Sequence, residues 1–224
     1  MTEQIDWQLA RDSFWPILSG GLTGTIPLTL VSFAIGLVIA LFVALLRLSP
    51  NVVLAGIGTA YVSVIRGTPL LVQLFIVFYG LPNLGVVVDP WPSAIIAFSL
   101  NVGGYAAEIV RAAILSVPRG QWEAGYTIGM STARTLRRIV LPQATRVSVP
   151  PLSNTFISLV KDTSLASTIL VTEQFRKAQE IAASNTDQFM LLYVEAALIY
   201  WMFCTVLATA QGAIEKRLDR YVAH

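Results

Sequence analysis

The chain has 224 residues, of which 55% are hydrophobic and only 12% charged, and its mean hydropathy is +0.67. An ordinary soluble domain carries about 25% charged residues, so these values exclude disorder, a fibrous repeat and a disulfide-stapled secreted module, and they set an ordinary soluble enzyme aside. The net charge of +2 is too small to argue for nucleic acid, the single cysteine (Cys204) reads as a small buried apolar residue, and the single histidine, His224, ends the chain.

At roughly 30 residues per span with its connection, the length holds five or six membrane helices and no large soluble domain. The N-terminus sets Glu3, Asp6 and Asp12 against Arg11. That is unlike the basic start and short apolar core of a cleaved signal, so the first apolar stretch is read as a retained span, about 17–46. Trp7 and Trp15 precede its apolar core, where interfacial aromatics belong. A second span, about 53–80, is interrupted by Arg66-Gly67-Thr68-Pro69, and residues 81–92 are rich in turn formers. The third span is about 93–115, with Glu108 and Arg111 in its final third. Segment 116–140 is too charged to cross a bilayer. A fourth span, about 141–170, carries Pro150-Pro151 and Lys161-Asp162; residues 172–188 are polar again; a fifth span, about 189–214, contains Glu195. The fold class expected is all-α: one polytopic membrane domain over residues 1–224, with about five transmembrane helices and no internal repeat.

Basic residues near span ends set orientation. Arg47, Arg119, Arg134, Arg137, Arg138, Arg146, Lys216, Arg217 and Arg220 all fall on one side if the N-terminus is outside and the C-terminus cytoplasmic. Segment 116–140 then faces the cytoplasm. Within it, Trp122, Tyr126, Ile128 and Met130 supply apolar surface, and Gly125 and Gly129 are four apart, so on one helix they form a bare strip that another surface can approach. Leu136, Ile139 and Val140 lead a second short helix back toward Leu141-Pro142. A polar loop with an incidental amphipathic helix is the plainer alternative.

A charge in mid-bilayer is costly and usually meets a partner or a wet cavity. Arg66 and Arg111 can snorkel toward the headgroups, Glu108 and Arg111 are three apart and can pair, and Glu195 reads as interfacial. Lys161-Asp162 lies 19 residues after Pro142, a rise of roughly 28 Å in ideal helix. A zwitterionic amino acid needs an anion for its ammonium group and a cation or free donors for its carboxylate. Glu108 or Asp162 can supply the first, and Lys161, Ser164 and Asn101 the second; these are the candidate substrate-pathway residues. The alternative is a structural ion pair of Lys161 with Glu108 or Glu195.

The spacing in segment 116–140 narrows the choice. Glu123-Ala124-Gly125, three residues, Gly129, nine residues, Ile139, one residue, Leu141-Pro142 resembles the EAA motif of ATP-binding-cassette (ABC) importer permeases, with Gly125 in place of the second alanine. The run from Arg66 to Phe75 (RGTPLLVQLF), the run from Tyr105 to Ala112 (YAAEIVRA) and Lys161-Asp162-Thr163-Ser164-Leu165-Ala166 are similar to the polar amino acid permeases of the histidine, glutamine, arginine and cystine importer group. The stretch PPLSNTFISLVKDTSLAS looks most like L-cystine permeases.

The resemblance implies the ABC type I importer permease fold, with 116–140 as a cytoplasmic coupling segment, in the bacterial inner membrane. It implies one subunit of an uptake system. A periplasmic or lipid-anchored amino acid binding protein delivers the substrate, two permease subunits (a homodimer or a pair of paralogues) form the pathway, and an ABC ATPase dimer drives it. The implied ATPase-coupling residues are Glu123, Ala124, Gly125 and Gly129. No GxxxxGK[ST] occurs, so a phosphate-cradling loop of that type must come from another chain. No catalytic, cofactor or metal site is expected, and no nucleic acid partner; lipid surrounds the spans. The rival is an ion-coupled carrier or channel for small polar solutes that needs no ATPase.

Overall fold

The computed structural model describes residues 6–219, and among them helices are the only regular elements. Glu3, Arg220 and His224 lie outside the described residues. Helix α1, Trp7–Gly20, starts where the Asp6 carboxylate accepts the backbone N–H groups of Gln8 and Leu9 at 2.9 and 3.0 Å, the usual remedy for unpaired donors at a helix start. A five-residue π-turn, Gly21–Thr25, leads directly into α2, Ile26–Arg47. Asn51 caps α3, Val52–Gly67, in the same way. Thr68 precedes Pro69 and is extended, because the proline ring disfavours helical backbone in the residue before it. The chain resumes as α4, Leu70–Phe75, a π-turn, Ile76–Gly80, and a 3-10 turn, Leu81–Leu84, closed by Gly85 at φ +82°. The interruption expected from Arg66-Gly67-Thr68-Pro69 is thus a real break.

Helix α5 covers Pro90–Ser116, α6 covers Arg119–Thr127, and α7, Thr132–Thr135, passes through a π-turn, Leu136–Val140, into α8, Leu141–Asp162. The second short helix of the coupling segment is therefore the start of a continuous helical run. A 3-10 turn, Thr163–Ile169, follows, closed by Leu170 at φ +65°. The polar stretch before the last span forms α9, Gln174–Ser184, and α10 is Phe189–Asp219.

Among the described residues, three helical runs are long and apolar enough to cross a membrane: Trp7–Arg47, Pro90–Ser116 and Phe189–Arg217. The broken pair Val52–Gly67 and Leu70–Leu84 makes a fourth if counted as one span. Helix α8 stands where the remaining span was expected, but Gln143, Thr145, Arg146, Ser148, Ser153 and Asn154 make it too polar to qualify by composition. The exposed Val194, Leu198 and Val206 of α10 are what a helix presents to hydrocarbon, where interhelical association depends on packing rather than on removal from water.

The chain falls into two compact units. The first comprises residues up to Ala34, Pro69–Phe98 and Phe156–Ala210; the second comprises Ile35–Thr68, Ser99–Thr155 and the segment from Gln211. In the first, Ile17, Ala178, Ala182, Leu192, Ala196 and Ile199 form one core. There the π-turn after α1 runs so close to the chain at 172–174 that a Cβ on Gly24 would lie 2.6 Å from Glu173 Cα and Thr172 O. In the second, Ala113, Ile114, Val117, Val140 and Ala144 form a core, and Trp122 of α6 packs against it.

Candidate functional site

In the first unit, the end of α8, its 3-10 extension, the start of α9 and one face of α10 line an open cavity of about 560 Å³. Lys161, Ser164, Phe175, Tyr193, Ala196, Ala197, Tyr200, Trp201 and Cys204 line it. Lys161 is its only charged side chain and, among the described residues, makes no ion pair. The Ser164 hydroxyl donates back to the Lys161 carbonyl at 2.7 Å. Four aromatic side chains supply most of the remaining wall, so the chamber offers one cation in a largely apolar, polarisable setting. That is a place for a carboxylate whose other end is apolar or cationic, since ring faces also attract ammonium groups.

Of the five candidate pathway residues, the structure brings Lys161 and Ser164 together here. Asp162 is the next residue to Lys161 but does not line the cavity. Asn101 and Glu108 belong to the second unit, and Glu108 is already engaged. Its carboxylate accepts from Arg47 at the end of α2 through Oε2 and from Arg111 through Oε1, the latter at 2.5 Å. Two guanidinium groups thus hold Glu108. The structural alternative for Lys161, an ion pair with Glu108 or Glu195, is corrected: among the described residues Glu108 pairs with Arg47 and Arg111, and Glu195 meets the Ser13 hydroxyl at 2.5 Å. The Arg66 guanidinium sits 5.5 Å over the ring of Tyr105, a contact that shelters the cation.

Sequence reasoning missed Phe175, Tyr193, Tyr200 and Trp201, and it read Cys204 as buried, whereas the thiol is half-buried in the cavity wall. It also missed Glu173, which is fully buried. This carboxylate caps α9: Oε2 accepts from Phe175 N–H at 2.9 Å and Oε1 from Arg176 N–H at 2.6 Å. Oε2 also accepts from the Tyr200 hydroxyl at 2.8 Å and, more loosely, from Thr25 at 3.3 Å. Burial pushes the Glu173 carboxyl above the usual carboxylate range, while these donors pull it back. The one cue in the sequence is an acid directly before an amphipathic helix.

In the second unit, α6 follows Pro118 and lies against α7 and the turn after it. Trp122 points into the core, whereas Glu123, Ala124, Tyr126 and Ile128 are exposed, Ile128 by 74%. The shared glycine face is corrected. Helix α6 ends at Thr127, and Gly129 lies beyond it at φ +78°. Met130 N–H reaches the Gly125 carbonyl at 3.0 Å and Gly129 N–H the Tyr126 carbonyl at 2.9 Å, the paired closure in which glycine supplies the left-handed residue. Gly125 is buried and turned toward Thr135, where a Cβ would lie 2.7 Å from Thr135 Cγ2. One glycine stops the helix and the other lets it sit on its own unit.

Comparison with known proteins places these features in context. The sequence profile of the family described as "Binding-protein-dependent transport system inner membrane component" matches residues 36–220. The L-cystine transport system permease protein TcyB of Bacillus subtilis (strain 168) is 65% identical over 219 residues, covering 98% of this chain and 94% of that one. The glutamine transport system permease protein GlnP of Escherichia coli (strain K12) is 34% identical over 217 residues, covering 96% and 98%. Among solved structures, a crystal structure of an amino acid ABC transporter with histidines superposes with a TM-score of 0.88 at 32% identity, over 96% of this chain and 99% of that one.

Proposed function

The chain belongs to the family of binding-protein-dependent transport system inner membrane components, and from that premise we propose that it is the membrane-spanning permease subunit of an ATP-driven importer for a polar amino acid, L-cystine. The whole chain acts as one permease domain with its N-terminus outside and its C-terminus in the cytoplasm. A binding protein delivers substrate, a second permease subunit completes the pathway, and hydrolysis takes place on a separate ATPase dimer. The 65% identity to an L-cystine permease supports the substrate.

One observation carries the recognition step: a lysine that makes no ion pair among the described residues, in an aromatic cavity where those residues bring no other charge. Lys161 holds the α-carboxylate, Ser164 offers a hydroxyl, and the rings of Tyr193, Tyr200 and Trp201 face the rest of the molecule. Asp162 and Asn101 are further pathway residues in this reading. Coupling runs through α6. Glu123 and Ala124, with Tyr126 and Ile128 beside them, form the face that meets the ATPase. Gly125 transmits displacement inward through Thr135, and Gly129 fixes where the helix ends. ATP-driven closure of the ATPase pushes α6, and the helical run through α7 and α8 carries that push to Lys161 in an alternating-access cycle.

Cys204 tests this reading without engineering, because it is the only cysteine of the chain and lines the cavity. Maleimide labelling of Cys204 is expected to slow when L-cystathionine is present. That analogue has a thioether in place of the disulfide, so it cannot exchange with the thiol. Labelling that is unaffected by any amino acid contradicts the cavity assignment.

A further inference from the structure

The aromatic wall of the cavity is held from behind by an acid that, among the described residues, no cation neutralises. Glu173 is fully buried, and its partners are two backbone N–H groups and two hydroxyls. Two of those partners belong to cavity-lining residues: the Phe175 backbone and the Tyr200 side chain. The other side chain is Thr25, in the π-turn between α1 and α2. One carboxylate therefore ties three elements together: the α1–α2 turn, the start of α9 and the middle of α10.

The surroundings are built for this contact. Gly20 and Gly24 carry no side chain where the chain at 172–174 crosses them; a Cβ on Gly20 would lie 3.1 Å from the Glu173 carbonyl oxygen. Beside Glu173, the buried Gln174 Nε2 donates to the Ala196 carbonyl of α10 at 2.9 Å, one turn before Tyr200. A buried carboxylate without a cation is costly, and its place is more cheaply filled by an apolar side chain when stability alone is at stake. A phenol has one proton to donate, and here it goes to Glu173, so the tilt of the Tyr200 ring in the cavity wall follows the carboxylate.

We propose that Glu173 is a positioning residue of the substrate cavity, holding Tyr200 and Phe175 at the spacing an amino acid bound on Lys161 requires. The proposal rests on the cavity reading above and adds a residue that need not touch the substrate.

The test uses the full chain assembled with its ATPase and binding protein in lipid nanodiscs, with L-cystathionine as the probe and maleimide labelling of Cys204 as the readout. In Glu173→Gln and in Tyr200→Phe, the concentration that halves the labelling rate is expected to rise about tenfold, the size of one lost charge-assisted hydrogen bond. The double variant is expected to match the weaker-binding single rather than multiply the two, because both act on the binding site through the shared Glu173–Tyr200 contact. If Glu173→Gln does not assemble, Tyr200→Phe carries the test, since it removes a single oxygen. Unchanged half-protection in an assembled variant overturns the proposal, as does a double variant whose shifts multiply. Absence of protection in the unsubstituted protein defeats the cavity reading itself and this proposal with it, whereas protection that neither substitution moves defeats this proposal alone.

Discussion

Glu108 and Glu173 are both carboxylates drawn away from bulk water, one in each unit, and they are satisfied by opposite means. Glu108 keeps 29% of its side-chain exposure and is bracketed by Arg47 and Arg111, which leaves the cluster with a net positive charge. Glu173 has no exposure and, among the described residues, no cation, only dipoles. Full charges suffice where water still screens them, and fixed N–H and O–H dipoles take over where it does not. The difference separates a clamp, whose loss is a loss of structure, from a device whose loss should be felt in binding.

The largest expected effect comes from breaking the clamp. Glu108→Gln leaves two partly buried guanidinium groups facing each other without an anion, and it should destabilise the second unit by about 3 kcal/mol. A fall in the thermal midpoint of the purified protein would show it, with partial recovery when Arg111→Met is added. Next is Lys161→Met. Because Lys161 has no ion-pair partner among the described residues, the protein should assemble normally while uptake falls by at least about tenfold, the size of one lost charge-assisted contact. Normal uptake by that variant would remove the cation from the substrate pathway.

A smaller effect is expected at the coupling helix. Gly125→Ala forces a methyl against Thr135 at a cost of about 1–2 kcal/mol, and Thr135→Ala in the same chain should recover most of it. Transport assayed alongside ATP hydrolysis shows whether the strain also uncouples the two. The smallest effect concerns the exposed Glu180 on α9, held below the usual carboxylate range by Lys177 first and Arg176 second. Its folded value is depressed, so its contribution is present above the ordinary carboxylate range and is lost as pH falls through the depressed value. Glu180→Gln should lower the thermal midpoint slightly at pH 7, and by progressively less as pH falls through the depressed value, as surface pairs of this kind allow.

The same contrast explains what the sequence made legible. Hydropathy located the apolar runs at 26–46, 93–115 and 189–214, and Pro69 and Gly85 marked real breaks, because these signals are local. The helix at Glu123 was legible from spacing, but the side on which Gly125 would lie was not, because that depends on Thr135, ten residues later. Helix α8, Leu141–Asp162, stands where a fourth span is expected, with a polar face that composition alone does not assign to a span. Glu173 was out of reach for the same reason as the side of Gly125. Its partners Thr25 and Tyr200 are 148 and 27 residues away, and a buried acid satisfied by neutral donors leaves no charge pattern to read. Arg47 and Glu108, 61 residues apart, left two charges but not their pairing.

The central claim is that this chain moves its substrate only when an ATPase drives it through α6. The direct measurement is uptake of radiolabelled L-cystine into proteoliposomes that contain the chain with its binding protein, with and without the ATPase subunit and ATP. Accumulation above the external concentration that requires both the ATPase and its hydrolysis is the predicted result. Equal accumulation in vesicles that contain no ATPase would contradict the account.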